Sequence, residues 1–357
     1  MRTMIEKIYE GQQKAEREEI IKRAGDIIKD GGLVAFPTET VYGLGADALN
    51  EQAAKKIYAA KGRPSDNPLI IHIADMESIG KITESVSAKA KIAADAFWPG
   101  PLTMIFGKSA VVPQGTTGGL DTVAVRMPEH EIARELIKAG GGYVAAPSAN
   151  TSGRPSPTAA GHVETDLNGK IDMIVDGGCV EIGVESTILD MTVEPPMILR
   201  PGAVTREMLE ERIGAVAVDK TLIGESSTAA PKAPGMKYRH YAPRAELTVV
   251  EGEISRVVDE IRRLTRERIG AGARVGVIAT EETVGLYTEG DVKCIGPRED
   301  ESAIAGHLYG ILREFDSDEV DYIYSEAFDT GGIGNAVMNR LMKAAGQRVI
   351  KVSLGVR

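Results

Sequence analysis

The chain has 357 residues, with 52 acidic against 42 basic side chains, a formal net charge of −10, 43% hydrophobic residues and 26% charged ones. This balance excludes a largely disordered chain and a protein that coats nucleic acid through a broad basic surface. No run approaches the ~20 consecutive apolar residues that span a bilayer. At roughly 100 to 200 residues per domain, the length points to two domains. The N-terminal stretch lacks the apolar segment of a signal peptide. The two cysteines, Cys179 and Cys294, lie too far apart for a CxxC motif. A cytoplasmic protein with inert thiols is the expectation.

In chain order, Ile20, Ile21, Ala24 and Ile27 give a helical stripe over residues 16–29, and Gly31-Gly32 end it. A buried strand follows at 33–36, stopped by Pro37. Next come a helix near 52–60, a strand at 69–73, a helix near 88–97, and strands at 102–106, 123–126, 143–146 and 171–175. This alternation predicts an α/β sheet domain ending near Val218. The segment 224–243, rich in Ser, Ala, Gly and Pro, reads as a linker. Its second half sets Lys237, Tyr238, Arg239, His240 and Tyr241 side by side, which suits either a solvated spacer or a strap folding over an anionic site. Beyond it, βα alternation resumes: strands at 247–250, 274–279, 320–325 and 349–352, and helices at 254–266, 304–315 and 336–345. That is a small parallel-sheet domain of Rossmann-like type.

Three segments carry polar chemistry. In GGLVAFPTETVYGLGADA, residues 31–48, a strand runs into a turn where Thr38, Thr40 and Tyr42 offer hydroxyls, and such loops are where α/β proteins place ligands. In KGRPSDNP, residues 61–68, Lys61 and Arg63 suit a phosphate clamp, though a helix C-terminus favours cations in any case. Asn67 follows, and His72 lies inside the apolar strand LIIHI, where a histidine is more often structural. In AAPSANTSGRPSPT, residues 145–158, Ser148, Asn150, Ser156 and Arg154 sit on a strand-to-helix loop whose backbone N–H groups could bind an anion. A helix is expected to start near Pro157. There is no Walker A, GxSxG or HExxH motif, so the chemistry expected is electrostatic, in a basic cleft that Arg126, Ser186 and Arg200 could also line.

Together these segments, with WPGPLT, ESTILD and LRPGAVT, resemble the YrdC/Sua5 family of L-threonylcarbamoyladenylate synthases, over about residues 15–215 and in the family's order. The family's KxR…SxN signature is met by Lys61, Arg63, Ser148 and Asn150. APGMKYRHYAP and the C-terminal GGIGNAVMNRLMKAA look like the longer Sua5 type. The resemblance implies an α/β fold with a YrdC-like twisted open mixed sheet and helices over residues 1–218. It further implies a linker over 219–245 that folds over the active site, and a smaller C-terminal Rossmann-like α/β domain over 246–357.

It also implies the reaction. L-threonine, bicarbonate or CO2, and ATP with Mg²⁺ would give threonylcarbamoyl-AMP and pyrophosphate. A separate transfer complex would use the product to form t6A at position 37 of tRNAs reading ANN codons, so direct tRNA contact is expected to be weak or indirect. By matched position, Lys61 and Arg63 are the expected catalytic residues. Thr40, His72, Arg126, Ala146 and Ser186 would bind L-threonine. Arg63, Asn67, Thr122, Ser148, Asn150, Ser156, Arg200 and Tyr241 would bind ATP, with no metal held directly by side chains. The rival readings are an RNA-binding or regulatory factor without turnover, against which the net charge weighs, and a hydrogenase-maturation carbamoyltransferase, which would need zinc-finger cysteines that two cysteines cannot supply.

Overall fold

Leu33 and Ala35 pack into one hydrophobic cluster while Val34 and Phe36 pack into another. Successive strand side chains point to opposite faces, so the sheet they belong to is covered on both sides. The computed structural model describes residues 2–219 and 241–352. Of these, 2–152 and 156–219 form one compact unit, and 153–155 with 241–352 form a second. The linker expected over 219–245 lies mostly outside the described residues, including Lys237 to His240.

The first unit is built on a mixed sheet of eleven strands. They are β1 (Met4–Lys7), β2 (Val34–Phe36), β3 (Gly43–Asp47), β4 (Ile70–His72), β5 (Leu102–Gly107), β6 (Thr122–Arg126), β7 (Val144–Ala145), β8 (Met173–Asp176), β9 (Thr187–Asp190), β10 (Met197–Arg200) and β11 (Ala217–Val218). Their spatial order is β1-β8-β2-β3-β7-β4-β6-β5-β9-β10-β11. The helices are α1 (Lys14–Lys29), α2 (Glu51–Lys61), α3 (Ile79–Ile82), α4 (Ala88–Phe97), α5 (Glu131–Ala139), α6 (Ala160–Leu167) and α7 (Arg206–Ile213). Ile20, Ile21, Ala24 and Ile28 form the buried stripe of α1, and Ile132, Ala133, Leu136 and Ile137 that of α5. Both stripes pack with Val34, Phe36, Val144 and Met173 on one face of the sheet. The other face, with Leu44, Ile71, Val125 and Leu189, is covered by residues of α2, α4, α6 and α7, such as Ile57, Ala93, Val163 and Leu209.

Two departures from the sequence reading matter for the site. The segment 43–47, expected as a turn, is a strand, paired antiparallel with both β2 and β7. The helix expected near Pro157 begins at Ala160.

The second unit holds a five-stranded, all-parallel sheet: β12 (Glu246–Gly252), β13 (Val275–Ala279), β14 (Asp291–Cys294), β15 (Tyr322–Glu326) and β16 (Val349–Val352), in the order β14-β13-β15-β12-β16. The helices α8 (Ile254–Gly270), α9 (Glu301–Ser317) and α10 (Gly334–Ala344) connect them. This agrees with the Rossmann-like expectation and adds β14, whose sequence DVKC carries little apolar signal. Among the described residues, no helix is long and apolar enough to cross a membrane.

Candidate active site

Asn50 caps α2 by accepting from the N–H groups of Gln52 and Ala53, and Gly62 ends the helix in the left-handed region at φ +62°. A residue with a Cβ resists that conformation, and it lets the chain turn so that Lys61 and Arg63 both point inward. They are 2% and 8% exposed, so this is not a solvated helix end. The Lys61 ammonium donates to the carbonyl oxygens of Ser148 and Asn150. Arg63 donates through Nε to the Asn67 carbonyl at 3.2 Å and through Nη2 to that of Pro68 at 3.0 Å. The Asn67 Oδ1 atom is buried with no hydrogen-bond partner.

The loop after β7 differs from the expected nest of amides. The N–H groups of Ala149, Thr151, Ser152 and Thr158 donate to Tyr42 O, Asp166 Oδ2, Lys61 O and His162 Nδ1. These four amides are spent within the protein, and the loop instead turns carbonyl oxygens toward a cation. Ser148 and Asn150 are joined side chain to side chain at 2.5 Å, and a bridge from Gly43 to Ser148 ties this loop to β3.

A second polar group crosses the sheet at one level. His72 on β4 is in register with Arg126 on β6, and Arg126 faces Thr103 on β5. Arg126 donates from Nε to Gly100 O (3.3 Å), from Nη1 to Thr40 Oγ1 (2.9 Å) and from Nη2 to Glu39 Oε1 (2.5 Å). Thr38 and Thr40 share a hydrogen bond of 2.9 Å. Burial and then the Arg126 cation push His72 down to about 3, so its imidazole is neutral at pH 7. Burial opposes charge on Glu39, but Arg126 and nearby backbone N–H groups overcome this and hold its carboxyl below the usual range.

Thr103 Oγ1 lies 2.8 Å from Ser186 Oγ. Arg200 donates to the Ser186 carbonyl at 3.0 Å and to its hydroxyl at 3.1 Å. Gly202 permits this approach, because a Cβ there would lie 2.8 Å from the Ser186 carbonyl carbon. Ser156, also buried, donates to Glu185 Oε1.

The structure thus bonds Thr40 to Arg126 and Ser186 to Arg200, sets His72 and Thr103 in register with Arg126 on the flanking strands, and joins Lys61, Ser148 and Asn150 in a separate group. The segment 38–44 links that group to Arg126. Ala146 follows β7 with its N–H on Ile70 O, two residues before His72. Thr122 stands at the other end of β6 from Arg126, four residues away and therefore on the same face. Tyr241 belongs to the second unit, where its ring packs 5.4 Å from Tyr309 and beneath the Arg340 guanidinium. Sequence reasoning missed Glu39, Thr103 and Glu185, all buried. The one available signal was a carboxylate between two buried threonines in PTET. Among the described residues, no group of three His, Cys, Asp or Glu side chains is placed to hold a metal ion.

Residues 26–202 match the Sua5_yciO_yrdC family, described as "Telomere recombination", and residues 204–346 match Sua5_C, described as "Threonylcarbamoyl-AMP synthase, C-terminal domain". Threonylcarbamoyl-AMP synthase of Pyrococcus abyssi is 52% identical over 93% of this chain and 96% of its own length. That of Bacillus subtilis is 50% identical over 93% and 94%. The crystal structure of P. abyssi Sua5 complexed with L-threonine superposes with a TM-score of 0.92 at 48% identity, over 98% of this chain and all of that one (100%). The chain belongs to the YrdC/Sua5 family, as a two-domain threonylcarbamoyl-AMP synthase.

Proposed function

We propose that the chain makes threonylcarbamoyl-AMP from L-threonine, bicarbonate or CO2, and ATP, and that the product feeds t6A formation at position 37 of tRNAs reading ANN codons through a separate transfer complex. The threonine nitrogen adds to CO2 and loses a proton, giving a carbamate. A carbamate oxygen attacks the α-phosphorus in line, and pyrophosphate leaves. Such a reaction needs positioning and charge neutralisation more than a protein nucleophile.

The observation that carries the reading is Arg126. A guanidinium has five N–H donors. Three are spent on Gly100, Thr40 and Glu39, which leaves two on a buried cation. Two parallel donors suit a carboxylate, here that of L-threonine. The L-threonine complex of the P. abyssi relative supports the choice of ligand. Thr40, Ser186 and neutral His72 flank that position, with the Ala146 backbone beside them.

Lys61 and Arg63 take the triphosphate and the charge that develops on it, with Arg200 assisting. Asn67 Oδ1, buried and open, accepts from a nucleotide hydroxyl or amino group. Ser148, Asn150, Ser156 and Thr122 supply further polar contacts. Mg²⁺ would arrive with ATP and neutralise the pyrophosphate. The ion's oxygens would come from phosphate and water.

The test is pyrophosphate release by purified protein with ATP, Mg²⁺ and bicarbonate, with and without L-threonine. Release that requires L-threonine and fails with serine or alanine is the expected result. Release indifferent to the amino acid, or no release from folded protein that binds ATP, would overturn it.

A further inference from the structure

Glu39 has a second carboxylate oxygen that the protein leaves unused. Oε1 accepts from Arg126 Nη2 at 2.5 Å, whereas Oε2 is buried with no hydrogen-bond partner. The residue is 3% exposed and its carboxyl is held in the charged form by Arg126. A buried anionic oxygen without a donor is costly and rare in folded proteins. The neighbouring titratable group does not fill the gap, because His130 Nδ1 is itself buried without a partner. Thr38 and Thr40 do not fill it either: Thr38 Oγ1 bonds Thr40 and Val41 O, and Thr40 Oγ1 accepts from Arg126. Backbone N–H groups of Glu39 and Glu129 act on the carboxyl without giving Oε2 a hydrogen bond, so that oxygen has room for a donor from outside the chain.

The position of that oxygen limits what the donor can be. It lies one carboxylate away from the guanidinium whose two remaining N–H groups suit the substrate carboxylate. In an α-amino acid the amino nitrogen sits one carbon from the carboxylate. A ligand held by Arg126 brings its nitrogen within reach of the neighbouring carboxylate when its α-carbon turns toward Glu39, which is bonded to the same guanidinium. We propose that Glu39 Oε2 is the acceptor for the amino nitrogen of the L-threonine substrate, and for the N–H of the carbamate formed from it. This rests on the reading of Arg126 as the carboxylate contact. The consequence is selectivity for an amine-bearing acid, which a lone arginine cannot give. A hydrogen bond to a charged group contributes roughly 1.5–3 kcal/mol, of the order of a 10- to 100-fold preference.

The experiment compares two ligands by calorimetry: L-threonine, and (R)-3-hydroxybutanoate, which keeps the carboxylate, hydroxyl and methyl but lacks the amine. Wild-type protein should bind L-threonine at least 10-fold more tightly. Glu39→Gln should weaken L-threonine at least 10-fold and the hydroxy acid less than 2-fold. Parallel weakening of both ligands would overturn the proposal, since Glu39 would then act only by holding Arg126. Unchanged binding of both would overturn it as well. Should Glu39→Gln fail to fold, Glu39→Asp keeps the charge but withdraws it, and the same contrast between ligands applies. Arg126→Ala separates the two readings. Loss of both ligands in that variant upholds the carboxylate contact whatever Glu39 does, and unaltered L-threonine binding removes that contact and the proposal with it.

Discussion

The Lys61 ammonium is seated on the carbonyl oxygens of Ser148 and Asn150, so one cation ties the end of α2 to the loop after β7. Lys61→Met keeps the stem but removes the donor. The buried Asn150 carbonyl then loses a partner, at about 1–3 kcal/mol, and the half-buried Ser148 carbonyl loses one at a smaller cost. Both the melting temperature and threonine-dependent pyrophosphate release should fall, the latter more than 10-fold, or about 1.4 kcal/mol in barrier. Calorimetry and the release assay on the same preparation check this. A variant with wild-type values for both would show that the contact is incidental.

His72 makes stability depend on pH. Its folded value of about 3 lies below the ordinary 6.5 because burial and Arg126 disfavour the imidazolium. The unfolded chain therefore binds more protons below pH 6.5, and acid favours unfolding. The stabilisation is complete above 6.5 and drains away as pH falls toward 3. By pH 5.5 the loss should be about 1.4 kcal/mol. His130 is also shifted down by burial, so it contributes in the same direction. Urea unfolding of His72→Asn between pH 7.5 and 5 should show a shallower slope than wild type. Equal slopes would mean that His72 is not kept neutral by the fold.

Arg126 and Glu39 make a buried ion pair, 4% and 3% exposed. Removing one partner of such a pair leaves the other uncompensated, at about 3–5 kcal/mol. Arg126→Met should destabilise by that order at pH 7. The Glu39 carboxyl is held low in the wild type, so the pair's contribution is present above pH 4.5 and is lost as pH falls through the folded value. The gap between Arg126→Met and wild type should therefore narrow in acid. A gap unchanged between pH 7 and pH 4 would assign the loss to packing alone.

Thr103 and Ser186 share a buried hydroxyl pair, and Arg200 also reaches Ser186. Thr103→Val preserves shape and removes one hydroxyl. Its expected cost is about 1 kcal/mol, seen as a rise of several-fold in KM for L-threonine with KM for ATP unchanged. A double-mutant cycle with Ser186→Ala should give a non-zero coupling, as expected for residues in contact. Additive effects would mean that Thr103 does not act through Ser186.

The long, strongly periodic elements are legible in the sequence, and the short ones are not. The stripe Ile20, Ile21, Ala24 marks α1 from the residues alone, because a 3.6-residue period carried over 16 residues fits a helix and not a strand. The strand GLGAD offers no such period. Its two glycines read as a turn, and only pairing with β2 and β7 makes it a strand. The site divides in the same way. Lys61, Arg63 and Arg126 stand out as cations beside strands. Glu39 and Thr103 do not, because a buried carboxylate is recognisable only once its arginine partner, 87 residues further along the chain, is brought against it. The loop at 145–158 reads as an anion nest from its composition, but which of its N–H groups remain open depends on Tyr42, Asp166 and Lys61, all outside that loop.

The second unit has a buried charge of its own. Glu326, at the end of β15, is fully buried, accepts from Tyr287 Oη at 2.7 Å and contacts the Arg298 guanidinium. Burial and this carboxylate raise the Tyr287 hydroxyl well above its usual range, so it remains a donor throughout the working pH range. Tyr287→Phe removes a hydrogen bond to a charged group, which contributes about 1.5–3 kcal/mol. Glu326→Gln removes the charge while keeping an acceptor for the tyrosine, and leaves the buried side of Arg298 without its counter-charge. Both variants should lower the unfolding temperature. Neither residue belongs to the unit that holds Lys61 and Arg126, so turnover at 25 °C should stay within 2-fold of wild type. A loss of turnover beyond 10-fold in a variant still folded at that temperature would show that the integrity of the second sheet sets the rate. Release assays run beside thermal melts on Tyr287→Phe decide between the two.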